Sequence, residues 1–509
     1  MTNRLFDGLM ESGRRDAQQR FALLPDGRTY TYADVDAASA RFANVLVGFG
    51  VKPGDRVAAQ VEKSIEALML YLGTVRAGGV FLPLNTGYTA AEIEYFLGDA
   101  RPAVFVCDPA AREGLEPIAA AAGARLETLG VWTSSERSAG SLFDAALAAP
   151  ETVESVPRTG DDLAAILYTS GTTGRSKGAM LTHDNLLSNA EVLRDTWRFT
   201  ADDVLLHALP IFHTHGLFVA SNTVLIVGAS MIFLPKFDVE QVFRYLPQAT
   251  TMMGVPTFYT RMLSDERLTR EATAHMRLFV SGSAPLLAET HRAFEARTGQ
   301  RILERYGMTE TSMSTSNPYD GERRAGTVGF PLQGVSIRVV DGETGNALPQ
   351  GEIGVIEVRG PNVFSGYWQM PEKTAAEFRP DGYFITGDLG FIDPDGYVTI
   401  VGRGKDLVIS GGFNIYPKEV EIALDDLPGV VESAVIGVPH PDFGEGVVGV
   451  VVSERELREE DLTAALKEKL ARFKQPKRIV FVDELPRNTM GKVQKNVLRE
   501  RFSGLLSQS

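Results

Sequence analysis

Between Thr31 and Val280, short apolar runs alternate with segments of helical period. That alternation restricts the chain to α/β layering, with mostly parallel sheet and helices on its faces. Thr31-Tyr32-Ala33-Asp34 has capping-box spacing and opens a helix to about Val47, with Val35, Ala38, Phe42, Val45 and Leu46 as its apolar stripe. Residues 56–61 read as a strand, 64–77 as a helix stopped by Gly78-Gly79, and 80–84 as a strand. A helix at 89–97 and a strand running to Cys107 follow. The stretch 134–162, rich in Ser, Ala, Glu and Pro, reads as a surface crossing. A second series places strands at 204–210, 231–234, 251–254 and 278–280, with helices at 239–246 and from Pro256 onward. From 327 to 400 the pattern becomes short β segments punctuated by Gly-Pro, Asp-Gly and Gly-Asp, which predicts a small barrel-like β subdomain. Beyond Gly402-Arg403-Gly404-Lys405-Asp406, strands at 435–438, 447–452 and 479–482 and an amphipathic helix at about 455–472 predict a separate small α+β domain.

The chain has 509 residues, too many for one hydrophobic core, so two to four domains or subdomains are expected. A net charge of −14 argues against nucleic acid or an anionic membrane as general partner. Any anionic ligand must be gathered by a local positive site. Cys107 is the only cysteine and excludes an intrachain disulfide, which suits a reducing cytoplasm. The first residues lack a signal-peptide core, and the apolar run 223–234 is too short to span a bilayer. These features predict a soluble cytoplasmic protein.

Chemistry first declares itself at 167–178. A buried strand at 163–167 runs into Thr169-Ser170-Gly171-Thr172-Thr173-Gly174-Arg175-Ser176-Lys177-Gly178, and Met180-Leu181-Thr182 and a helix-like segment follow. Glycines let backbone N–H groups converge, hydroxyls add neutral donors, and Arg175 and Lys177 add charge, a combination suited to a polyphosphate. It is not a Walker A loop, because Gly174 and Lys177 are not adjacent.

Further boxes follow in order: Tyr306-Gly307-Met308-Thr309-Glu310, Thr386-Gly387-Asp388, and Pro486-Arg487-Asn488-Thr489-Met490-Gly491-Lys492. With the phosphate loop, and with Ala77-Gly78-Gly79-Val80-Phe81-Leu82-Pro83-Leu84 before it, they resemble the acyl-adenylate-forming superfamily over nearly the whole length. That resemblance implies an acetyl-CoA synthetase-like fold: a large N-terminal AMP-binding domain, 1–403, and a small mobile C-terminal lid domain, 404–509. It implies activation of a carboxylic acid with ATP and Mg²⁺ to an acyl-adenylate, then transfer to a thiol, here coenzyme A. Two anions must then meet, which requires a divalent cation and fixed cations.

By the same resemblance, Thr169, Ser170, Gly171, Thr172, Thr173 and Lys177 cradle phosphates, and Ser281, Gly282, Ser283 and Ala284 line the adenine pocket. Tyr306 stacks on adenine, Thr309 contacts the α-phosphate, and Glu310 binds Mg²⁺. Asp388 holds both ribose hydroxyls, for which a carboxylate has the acceptors, and Arg403 is a second ribose or phosphate contact. Lys492, on a loop that closes over the site, contacts acid and α-phosphate and is the catalytic cation. Lys405 lies at the hinge of the C-terminal domain. Gly411, Gly412 and Phe413, within Ser410-Gly411-Gly412-Phe413-Asn414-Ile415-Tyr416-Pro417, form part of a pantetheine tunnel that His213 gates. Arg472, Lys474, Lys477 and Arg478 form a basic run that either meets CoA phosphates or is solvated surface. Family lysines at the Lys492 position can be acetylated, so a lysine acyltransferase and deacylase are implied partners.

Within the superfamily, Gly254-Val255-Pro256-Thr257-Phe258-Tyr259-Thr260-Arg261 and the stretch 308–319 most resemble the malonate-activating members. A dicarboxylate needs a cation for its far carboxylate, since an unpaired buried charge costs several kcal/mol. Arg261, about one and a half turns into the helix after Pro256, is expected to point inward and select malonate or methylmalonate, with Ser281 or Ser283 assisting and His213 nearby. Rival readings are another short-chain or fatty-acid CoA ligase, an adenylating enzyme that loads a carrier protein, and a non-catalytic nucleotide-binding protein. The chain ends soon after Lys492 with no carrier domain, which weakens the second.

Overall fold

The computed structural model describes residues 2–133, 138–169, 176–410, 413–440, 443–470, 472, 474–488 and 491–506. Two large sheets carry the architecture. The first runs, in strand order, Gly366–Tyr367, Lys177–Thr182, Leu163–Thr169, Val80–Pro83, Arg56–Gln60, Val104–Cys107, Arg125–Thr128. The second runs Phe330–Pro331, Ser312–Ser316, Leu303–Met308, Leu278–Ser281, Thr251–Gly254, Val204–His207, Ser230–Phe233, Arg20–Leu23, Thr29–Thr31. The centres of both are parallel, and antiparallel strands lie only at their edges.

The helix Ile65–Arg76 is buried at every residue and lies between the two sheets. One apolar cluster joins its Leu68, Leu70 and Leu72 to Val57 and Phe81 of the first sheet and Leu205 and Met231 of the second. The neighbouring residues Ala58 and Leu206 point the other way, as strand alternation requires, into separate clusters on the outer faces. Both large sheets are therefore covered on both faces, which explains strands without a polar side. The capping boxes at Thr31–Asp34 and Thr89–Glu92 form with both reciprocal bonds.

The stretch expected to be a surface crossing differs. Within it the helix Ser141–Ala148 buries Leu142, Phe143 and Ala146 and packs against the helix Tyr32–Gly48; residues 134–137 lie outside the described residues. The β subdomain is a four-stranded antiparallel sheet, Ser336–Val340, Gly354–Arg359, Phe384–Ile392, Val398–Arg403. A separate five-stranded sheet, centred on Val430–His440 and Gly444–Ser453, forms the C-terminal α+β unit, with the helices Pro417–Asp425 and Glu459–Lys469 packing on its core. No described helix is long and apolar enough to cross a membrane.

Candidate active site

The strands Leu163–Thr169 and Lys177–Thr182 are arms of one antiparallel hairpin, with Thr169 opposite Lys177. The glycine-rich loop is thus a hairpin turn, and the helix His183–Thr196 begins only after the second arm. The sequence suggested a loop leading quickly to a helix; instead Lys177–Thr182 is a strand paired to the first, with Gly178, Ala179, Leu181 and Thr182 buried. Ser170, Gly171, Thr172 and Thr173 lie outside the described residues. The arms are pinned on both sides: Tyr95 donates to the Ser176 carbonyl at 2.7 Å, and the Tyr168 hydroxyl donates to Asp99. Lys177 forms an ion pair with Glu377 at 3.1 Å and lies 4.0 Å over the Tyr367 ring.

A second hairpin, Leu303–Met308 with Ser312–Ser316, places the Tyr-Gly-Met-Thr-Glu box. Its register slips at Tyr306/Gly307, and a Cβ on Gly307 would lie 1.8 Å from the Ser312 carbonyl oxygen, so only glycine fits. Thr309 and Glu310 therefore sit in a tight turn, not at a helix N-terminus, and Ser312 takes a positive φ of 46° to complete it. The turn buries the Glu310 carboxylate, which accepts from the Thr169 hydroxyl at 3.4 Å and the Tyr367 hydroxyl at 3.1 Å. Burial raises its pKa, and hydrogen bonds with the Arg403 and Lys177 charges oppose that.

Asp388, buried on the strand Phe384–Ile392, faces Arg403 across the ladder. Arg403 Nε approaches one carboxylate oxygen at 2.6 Å, while the Tyr306 hydroxyl donates to the other. Both oxygens keep a further lone pair for a vicinal diol. Ser281 is fully buried and its hydroxyl has no partner among the described residues; Gly282 and half-buried Ala284 continue the loop. Ser283 has φ of 71°, which turns its hydroxyl to 3.2 Å from His215 Nδ1.

Arg305 was not anticipated. It precedes Tyr306 on the strand Leu303–Met308, is 3% exposed, and its Nε and Nη2 have no hydrogen-bond partner among the described residues. Its guanidinium lies against Gly282, where a Cβ would come within 2.3 Å of Cζ. Its charge acts on His213, His215, Tyr259 and Lys492, so it lies near all four. Glu304 points to the opposite face and accepts from Leu286 N–H, so it is no partner. Burial pulls Arg305 down to about 9. The only sequence signal was a cation one residue before the box, on a strand that is otherwise core.

Lys492 comes from the other lobe. Its loop is held by Arg487 donating to the Gly491 carbonyl at 2.6 Å and by Lys492 N–H donating to the Asn488 side chain at 3.0 Å. Gly491, with φ of 74°, faces Thr257 at the start of the helix Pro256–Leu263. The side chain stays open to solvent yet is ringed by protein. Desolvation lowers its pKa first and Arg403 adds to that, while Asp388 and Glu310 hold it up.

Arg261 does not turn inward as expected. The buried residues of that helix are Tyr259 and Met262, whereas Arg261 is exposed, one turn past Thr257 on the face that Gly491 meets. Lys474 forms an ion pair with Glu419 at 2.5 Å. Gly411 and Gly412 lie outside the described residues, and of Phe413 only the strand position, Phe413–Ile415, is described. Lys405 is exposed in the single 3-10 turn Gly404–Asp406, next to Asp406, which pairs with Arg499 at 2.6 Å.

His213 is half-buried, and its Nδ1 accepts from the His215 N–H at 3.2 Å. Burial, with Lys492 and Arg305 adding to it, pushes the imidazole down to about 3. A group with so low a folded pKa stays neutral across neutral pH. The pH–rate profile of His213→Phe should therefore keep the wild-type shape between about pH 6 and 8. Loss of a limb near the ordinary histidine pKa would instead mark His213 as a titrating base.

The donor set at Glu310 fits magnesium: one hard carboxylate and the Thr169 hydroxyl, with triphosphate oxygens and water able to complete an octahedron.

A nucleotide-shaped constellation is thus assembled from three sheets and closed by a lysine from the C-terminal unit. Comparison with known proteins places it. The AMP-binding enzyme model matches residues 10–368, and the AMP-binding enzyme C-terminal domain model matches residues 419–492. The chain belongs to the AMP-binding enzyme family. It is 35% identical to the malonate–CoA ligase of Arabidopsis thaliana, over 94% of this chain and 86% of that protein. It is 38% identical to the feruloyl-CoA synthase of an Amycolatopsis species, over 94% of each. The ATP-bound crystal structure of MatB from Rhodopseudomonas palustris superposes with a TM-score of 0.96 at 61% identity, covering 99% of this chain and 100% of that one.

Proposed function

We propose that this protein ligates malonate to coenzyme A through malonyl-AMP, releasing pyrophosphate. The observation that carries this reading is Arg305, a buried guanidinium near His213 and Lys492 with two nitrogens unpartnered among the described residues. A neutral acyl tail would leave that cation buried and unpaired, at a cost of several kcal/mol, whereas a second carboxylate satisfies it bidentately. Feruloyl and fatty acyl chains offer no such anion. Likeness to the Arabidopsis ligase and to MatB points the same way.

On this reading the residues divide the work as follows. Tyr306 and the backbone of 281–284 hold adenine, Asp388 with Arg403 takes the ribose hydroxyls, and Thr169, Lys177 and the loop between them hold phosphates. When bound at Glu310, Mg²⁺ neutralises phosphate charge and polarises the phosphoryl oxygens. Arg305 and Ser281 hold the far carboxylate, with Ser283 fixed by His215 and with Arg261 at the rim. That leaves the near carboxylate facing the α-phosphate, where Thr309 and Lys492 stabilise the charge that develops. Lys492 occupies the cleft, so it must withdraw before a thiol can enter. A rotation of 404–509 about Lys405 achieves this, and the pantetheine arm then passes Gly411, Gly412 and Phe413 toward His213. Lys474 would exchange Glu419 for a CoA phosphate. The same pocket admits methylmalonate if the added methyl clears Ser283. The cytoplasm suits the single buried thiol, and an acyltransferase acting on Lys492 would silence the first half-reaction by removing its charge.

Malonate-dependent ATP–pyrophosphate exchange, followed by thioester yield with free CoA, tests this. Malonate should exceed acetate and a fatty acid by about a hundredfold or more in kcat/KM, and CoA thioester should accumulate. Exchange without thioester would favour carrier loading. Absence of both would leave only nucleotide binding.

A further inference from the structure

Tyr367 lies outside every box that identified the site, yet its hydroxyl joins two parts of it. The residue is 2% exposed, on the edge strand Gly366–Tyr367, paired to the second arm of the phosphate hairpin with Tyr367 opposite Ala179. Its ring packs edge-on against Phe364 at 4.8 Å and lies beneath the Lys177 ammonium. Its single O–H proton is shared between two acceptors, Glu377 Oε2 at 2.6 Å and Glu310 Oε1 at 3.1 Å. Glu377 in turn pairs with Lys177 at 3.1 Å and with Lys373 at 2.7 Å. One phenol therefore stands between the carboxylate of the turn and the lysine of the phosphate hairpin.

We propose that Tyr367 is a positioning residue that aims Glu310 at the divalent cation and ties its placement, through Glu377, to Lys177. The inference rests on the reading of Glu310 as the magnesium carboxylate. Among the described residues the side chains that hold Glu310 are two hydroxyls, Thr169 at 3.4 Å and Tyr367 at 3.1 Å, and the longer bond comes from the residue next to the glycine loop. Without the phenol, the carboxylate would keep only the weaker side-chain tether beside its own backbone bond. Groups that orient a metal ligand typically change metal affinity about 10- to 100-fold when removed. The arrangement also explains why a tyrosine stands here: phenylalanine would fill the same space against Phe364.

The test is equilibrium binding of ATP with excess Mg²⁺ and with EDTA, on wild type, Tyr367→Phe and Glu310→Gln. In Tyr367→Phe the strengthening of ATP binding by Mg²⁺ should shrink by about tenfold or more, while affinity in EDTA stays within twofold. The Mg²⁺ concentration for half-maximal adenylation should rise by a similar factor, with the rate at saturating Mg²⁺ largely recovered. If Tyr367→Phe weakens ATP equally in both media, or leaves the Mg²⁺ effect intact while Glu310→Gln abolishes it, the positioning role is wrong. If Glu310→Gln itself keeps the full Mg²⁺ effect, the metal reading of Glu310 falls and this inference with it.

Discussion

Lys492→Ala is expected to slow malonyl-AMP formation by at least about 10²–10³-fold, the loss typical when one preorganised charge is removed from a developing anion. ATP affinity should change only a few-fold, because Asp388, Arg403, Tyr306 and the phosphate hairpin all lie outside the C-terminal unit. The variant should still convert supplied malonyl-AMP and CoA to thioester at a rate close to wild type, since the proposed rotation takes Lys492 out of the cleft before the thiol enters. Rapid-quench measurement of each half-reaction separates the two steps. The physical ground is the setting of the ammonium. It is desolvated and pushed down by Arg403, and it is kept charged by Asp388 and Glu310. A cation so placed is stabilised further by each anionic oxygen it meets, so its effect is largest when carboxylate and phosphate converge.

Arg305→Met should cost malonate about 10²–10³-fold in kcat/KM, from the roughly 3–5 kcal/mol of leaving a buried charge without its partner. Methionine reaches only about as far as Nε and lacks the guanidinium that lies against Gly282, so the variant's thermal stability is measured alongside its kinetics. Selectivity should invert in part: a monocarboxylic acid of similar size should lose nothing, or gain, because no unpaired guanidinium then faces its neutral end. Arg261→Leu, at the exposed rim, should cost malonate much less than Arg305→Met. Equal losses would mean that the two arginines share the carboxylate. Steady-state kinetics with malonate and propionate on both variants measures all four values.

The layered fold was legible because its signals are local. The capping box at Thr31 and the glycine stops mark helix ends whatever surrounds them, and apolar runs mark strands buried on both faces. Three features were not legible, each for a physical reason. The Lys177–Thr182 arm hid beside a helix start, because hairpin pairing depends on a strand partner and not on local sequence. Helix Ser141–Ala148 hid in an Ala- and Ser-rich stretch whose stability comes from packing on Tyr32–Gly48. The Thr309–Glu310 turn carries residues equally suited to a helix cap, and only the Gly307 bulge decides. In the site, boxes with several fixed residues announced themselves. Arg305 and Tyr367 did not, because a lone arginine or tyrosine on a strand reads as ordinary core until the unpartnered nitrogens and the two carboxylates are seen around it.

The account turns on the far negative charge of the acid. Its most direct test is kcat/KM for malonate against monomethyl malonate, which keeps the reacting carboxylate and removes only the distant charge. A fall of about a hundredfold or more in wild type, nearly abolished in Arg305→Met, is the predicted result. Equal use of the two acids by the wild-type enzyme would contradict it.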